Sequence, residues 1–135
     1  MPSAIWPLRA AVYAKLSGDA ALSALITGVY DEVPPTGTTD YITLGPITQV
    51  ADDEHGTPGA DCDVAVNAWT REEGYKRVAL IAEAVTAVLH RQPLTVTGWT
   101  KVSVAGVSLS EEGDPDPDIR RVEMIFRVWL TKEGV

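Results

Sequence analysis

"DVAVNAWTREEGYKRVALIAEAVTAVLH", residues 63–90, passes from one periodicity to another. Counting from Cys62, the residues Val64, Val66 and Ala68 fall on one side of an alternation, and Asp63, Ala65, Asn67 and Trp69 fall on the other. That is the period-2 pattern of a half-buried strand. Past Thr70, the residues Val78, Ala82, Val85 and Leu89 recur at spacings of four, three and four, with Tyr75 and Ile81 flanking them. Those spacings put them on one face of a helix. "TREE" has the Thr70 to Glu73 spacing of a capping box, which predicts a helix start there and a length of about 18–20 residues, roughly 30 Å.

Toward the N-terminus, Ile5, Leu8, Val12 and Leu16 form the stripe of a first helix, with Pro7 tolerable in its first turn. "SGD" breaks it, Asp19 can cap a short second helix in "AALSALI", and Gly28 suits that helix's C-terminal end. In "VYDEVPPTGTTDYITLG", residues 29–45, "VY" reads as a short strand and "PPTGTTD" as a loop. A longer strand, "YITLGPITQV", follows, with a break expected at Gly45-Pro46 because proline cannot donate to a ladder.

Toward the C-terminus, "ADDEHGTPGAD" is a polar surface loop and "EEGDPDPD" an acidic turn. Strands are expected in "LTVTG" and "WTKVSVAGVSLS". In the latter, Val102 and Val104 share one face while Val107 and Leu109 share the other, which predicts a bulge or sharp bend near Gly106. In "IRRVEMIFRVWLTK", Val122, Met124, Phe126, Val128 and Leu130 point inward, and Arg121, Glu123, Ile125, Arg127 and Trp129 outward. The elements give an α+β class: a mainly antiparallel β-sheet packed against one long helix and an N-terminal helix pair, as a single domain over residues 1–135.

The 135 residues, 45% hydrophobic and 22% charged, suit one soluble domain with one core. Eleven Lys and Arg against 19 Asp and Glu give a net charge of −8, which disfavours DNA as a ligand. Cys62 is the sole cysteine and has no internal disulfide partner. "MPSAIWPLRAAVYAKL" is interrupted by Pro7, Arg9 and Lys15, and no stretch approaches the roughly 20 apolar residues of a membrane span. A chain made and used without export, in no membrane, is expected.

Chemistry is sparse. His55 and His90 are far apart and belong to no H-E-x-x-H motif, Cys62 reads as core, and the acidic runs lack the EF-hand pattern. No phosphate-binding loop or nucleophile elbow occurs, so no catalytic residue, metal or cofactor is expected and an enzyme is disfavoured. Arg120, Arg121 and Arg127 form a basic patch that either pairs with Glu123 and neighbouring acids or meets the acidic loops of another copy; both readings stay open.

The order "LRAAVYAKLSGDAALSALI", "GVYDEVPPTGTTDYITLG", a variable loop, "DVAVNAWTREEGYKRVALIAEAVTAVLH" and "RRVEMIFRVWL" covers nearly the whole chain. It resembles the phage tail terminator, or tail-completion, family of long-tailed phages and phage-derived gene transfer particles. The resemblance implies a structural virion protein at the head-proximal end of the tail, assembled in the host cytoplasm. It would be a homo-hexameric ring that caps the tail tube, stops tube polymerisation and forms the joint to the head connector. Its implied partners are itself, the tail tube protein and head-tail connector or adaptor proteins, with DNA passing through unbound.

On this reading Pro34 and Pro35 stiffen a docking loop, since each proline fixes φ. Asp52, Asp53 and Glu54, with Glu111, Glu112, Asp114 and Asp116, are candidate lumen or interface acids. Arg120, Arg121, Arg127 and Trp129 are candidate contacts on the last strand. The alternatives are a head-completion adaptor on the other side of the joint, a small hydrolase or nuclease using Asp114 or Asp116, and a free-standing binding module.

Overall fold

Leu8, Val12 and Leu16 are buried along helix α1 (Ile5–Ser17), whereas Ile5 faces solvent and Ala4 takes the buried place before the first turn. Pro7 lies in that first turn, as expected. The computed structural model describes residues 3–32, 39–52, 58–71, 74–113 and 118–132. The Asp19 carboxylate accepts from the Leu22 N–H at 2.9 Å and caps α2 (Ala20–Ser23). Since α2 ends at Ser23, Gly28 does not close it; a side chain at Gly28 would instead press on the Tyr30 ring.

Five strands follow: β1 (Val29–Tyr30), β2 (Tyr41–Ala51), β3 (Gly59–Thr70), β4 (Trp99–Glu112) and β5 (Arg120–Lys132), with helix α3 (Lys76–Leu89) between β3 and β4. The sheet order is β1-β2-β3-β5-β4. The β1–β2 pair is parallel and the other three are antiparallel. β3 and β4 therefore run in the same direction with β5 inserted between them, and α3 makes the crossover.

The expected alternation holds in β5, where Val122, Met124, Phe126, Val128 and Leu130 are all buried. Their ladder partners on β3, Ala68, Val66, Val64, Cys62 and Ala60, form the facing row of the same core. Helix α3 seals it with Val78, Ile81, Ala82, Val85, Val88 and Leu89. Each fully buried aliphatic side chain in this layer contributes about 1.5–3 kcal/mol. Cys62 is in the same core, as its alternation predicts, and burial pushes its thiol up to about 11.

Four further expectations need correction. Helix α3 spans 14 residues rather than 18–20, close to the 13 of α1, and it starts at Lys76. Thr70 does not cap it: the β3–β5 ladder runs through Thr70, and the Thr70 hydroxyl donates to Asp40 Oδ1 at 2.7 Å. Glu73 lies outside the described residues. At Gly45-Pro46, β2 does not break but bulges, with a register shift between Leu44 and Ile47. Arg9 donates to the Gly45 carbonyl at 2.8 Å, satisfying a group that the bulge turns out of the ladder. "LTVTG" is not a strand, although Leu94 and Val96 still pack on the core. The expected bulge on β4 is present, between Ala105 and Val107, with Gly106 at φ +70°. Gly106 is the residue that tolerates this left-handed backbone without penalty.

Candidate assembly surface

Both helices that reach across the sheet, α1 and α3, lie on one side of it. Among the described residues no helix covers the opposite face, although Tyr41, Thr43, Ala65 and Asn67 are buried on it, and the strand register sets its side chains in rows. At one end Tyr41, Trp69, Arg121 and Glu112 line up across β2, β3, β5 and β4. At the other end the row is Val50, Asp61, Trp129 and Ser103, with Thr48, Asp63, Arg127 and Ala105 next to it.

The first row is held rigidly. Tyr41 stacks on Trp69 with centroids 5.9 Å apart, and Tyr30 meets Tyr41 edge-on at 6.1 Å. The Trp69 indole N–H donates to Thr43 Oγ1 at 2.8 Å. The Arg121 guanidinium sits 5.3 Å from the Trp69 ring, donates to Asn67 Oδ1 at 2.9 Å and pairs with Glu123 at 3.5 Å. Aromatic rings and arginines with few free rotors suit recognition, because little side-chain entropy is left to lose on docking.

The second cluster centres on Arg127. Its Nε and Nη2 donate to the two Asp61 carboxylate oxygens at 3.1 and 2.7 Å, and the guanidinium lies 4.9 Å from the Trp129 ring. These hydrogen bonds hold the Asp61 carboxyl below its usual range; partial burial opposes them, and the Arg127 charge and a hydrogen bond from Trp129 add to them. A carboxyl lowered in the folded state stabilises the fold above its unfolded value of about 4, and that stabilisation is lost as pH falls through the lower folded value. Asp61→Asn is therefore expected to reduce Tm slightly at pH 7 and to change it little at pH 2–3. Thermal melts across that range check it, and an equal loss at both pH values would show that the ion pair is not the cause.

The predicted interface residues do not form one patch. Arg121, Arg127 and Trp129 share the uncovered face, whereas Arg120 lies on the helix side, 5.6 Å from the Tyr75 ring. Glu111 and Glu112 are the last residues of β4 rather than part of the turn, and Asp52 directly follows β2. Register puts these acids at opposite ends of the sheet: Glu112 pairs with Arg121, whereas Ala51, beside Asp52, pairs with Ala60, whose partner on β5 is Leu130. At about 3.3 Å per residue the two ends are roughly 30 Å apart. Asp40, where the proline-bearing loop rejoins the sheet, is at the Glu112 end. Pro34, Pro35, Asp53, Glu54, Asp114 and Asp116 lie outside the described residues.

The expected pairing of the arginines with Glu123 and with acids on a neighbouring strand is present, as Arg121–Glu123 and Arg127–Asp61, but sequence reading missed Tyr41 and Trp69 as their companions. Trp69 was visible as an outward position on β3, but the row it joins depends on pairing partners more than 25 residues away in sequence. Among the described residues no group of three or more His, Cys, Asp or Glu is placed to hold a metal ion. No described helix is long and apolar enough to cross a membrane.

No curated protein matches the chain. Among solved structures, a chain from the virion of a native gene transfer agent particle is similar, with a TM-score of 0.78 and 29% identity over 92% of this chain and 94% of that one. The family model described as tail completion protein gp17 matches residues 10–131, from within α1 to the end of β5. The chain belongs to that tail-completion family and is a structural component of a virion tail.

Proposed function

We propose that the chain caps the head-proximal end of the tail tube as a homo-hexameric ring, stops tube polymerisation and forms the joint to the head connector. The observation that supports this reading best is the uncovered sheet face, where pre-ordered aromatic and arginine side chains offer a docking surface. The role is architectural rather than catalytic.

Two rims follow from the strand register. One carries Glu111, Glu112 and the roots of the Pro34-Pro35 loop, and the other carries Asp52. On this reading one rim meets the tube and the other the connector, and acids at both rims repel DNA phosphates, so that DNA passes without sticking. Partners are further copies of this chain, the tail tube protein and the connector proteins, met during assembly in the host cytoplasm.

Electron microscopy of particles made without this gene tests the reading. Tubes that overrun their normal length are expected. Tails of normal length lying unattached beside filled heads would instead identify a head-completion adaptor and overturn the capping role.

A further inference from the structure

Four of the six large exposed hydrophobics among the described residues lie on two flanks of the chain; Val50 is on the helix-free sheet face and Leu80 on α3. Of the six large exposed hydrophobics among the described residues, Ile5, Trp6 and Tyr13 are on α1, with Trp6 68% and Tyr13 45% exposed. Trp6, Ala10 and Tyr13 are spaced by four and three, so they form one ridge along that helix. The side of α1 carrying Tyr13 and Ser17 borders Val29 and Tyr30, which places the Tyr13 end of the ridge at the β1 edge of the sheet, while the N–H of Ala4, just before α1, donates to Gln49 Oε1 toward the other end of β2.

The other flank is shaped as a recess. Helix α3 covers β3 and β5 but barely reaches β4, so Leu109, on the helix side opposite buried Met124, is left 51% exposed. Between them is an apolar groove of about 500 Å³, floored by Ala82, Thr86, Ala87 and Leu109 and flanked by Glu83 and Glu111. Small residues on α3 make the recess. β4 is the edge strand on this flank, and the sheet order puts it at the far end from β1.

We infer that the α1 ridge of one copy docks in the α3–β4 groove of the next, Trp6 entering beside Leu109. This rests on the ring reading above and names its contact. A ridge and a recess on opposite flanks of one chain make a heterologous interface, the kind that propagates from copy to copy and closes into a ring when the rotation allows. An isologous dimer would need both features on one flank. A second copy is favoured over another occupant because the same chain supplies both halves, each exposed and each apolar.

The contact is weak between free chains. Two aromatic rings bury about 300–500 Å² together, less than a stable interface needs. Each copy also carries a net charge of −8, so copies repel until salt screens them. Assembly on a tube end, where copies are held side by side, removes both obstacles.

The test uses the full chain carrying Ala10→Cys and Ala87→Cys, two exposed small residues on the ridge and in the groove. The native Cys62 is buried and its raised thiol pKa keeps it silent. Oxidation at high protein concentration in about 0.5 M salt, and separately in assembled particles, is read on a non-reducing gel. A ladder of oligomers ending in one closed species is expected, and adding Trp6→Glu should cut the yield about tenfold or more.

A control chain with Ala10→Cys and Ser103→Cys reaches the uncovered face of β4 instead. Cross-linking no stronger than this control, dimers formed through Ala10→Cys alone, or linkage of Ala87→Cys to a different tail protein would each overturn the contact. A ladder with regular tails in the gene deletion would sink the capping role but leave the contact standing. Overlong tails without a ladder would do the reverse.

Discussion

Phe126→Ala is expected to lower stability by about 3–5 kcal/mol, which for a chain of this size is a fall in Tm of roughly 12–20 °C. Phe126 is 1% exposed, sits mid-way along β5 and is paired with Val64 on β3 and Val107 on β4. It belongs to the core and has a strand on either side, so its removal leaves a cavity that the paired ladders resist closing. Leu130→Ala, on the same row but near the strand end, should cost less, because fraying there relieves part of the void. Thermal or denaturant unfolding of the two variants checks the ranking, and equal losses would mean that the β5 ends are as tightly packed as its centre.

Gly59→Val, at the buried first residue of β3, should also destabilise the fold. The Gly59 carbonyl accepts from the Asp52 N–H at 3.0 Å, and a Cβ at Gly59 would press on the Asp52 carbonyl oxygen and lie 3.1 Å from the Leu130 carbonyl oxygen. Both obstacles are backbone: Asp52 directly follows β2 and Leu130 is in β5, the two strands that flank β3. The chain must then give up the end of the β2–β3 ladder or the end of the β3–β5 ladder, a loss of about 1–3 kcal/mol. Hydrogen exchange should show Asp52 and Lys132 amides losing protection while the Val64 to Val66 region keeps it. Unchanged protection at both amides would refute the crowding argument.

How much of this was legible in the sequence depended on how local each signal is. β5 announces itself because one face rests on the core and the other does not, so alternation survives along its whole length. The start of α3 was misread because a threonine hydroxyl serves a cap or a distant carboxylate equally well, and spacing alone does not reveal that Asp40 claims Thr70. Leu94 and Val96 look like a strand because both are needed in the core, yet their backbone joins no ladder. The groove beside Leu109 was invisible: it arises from α3 being displaced toward β3, which no periodicity encodes. The aromatic rows were hidden for the related reason that they join residues through register, and register becomes a fact only once the strands have paired.

The insertion of β5 between β3 and β4 also sets an order on events during translation. Four of the five strands emerge from the ribosome before β5, and until it arrives β4 has no neighbour and β3 lacks one of its two. The recess between α3 and β4 needs Val122, a β5 residue, in its wall. A nascent chain thus displays the α1 ridge early but completes the α3–β4 groove only when synthesis has reached β5. Under the proposed ridge-and-groove contact, incomplete chains on one polysome would lack half of it, and the competence to associate would come with the strand that finishes the sheet.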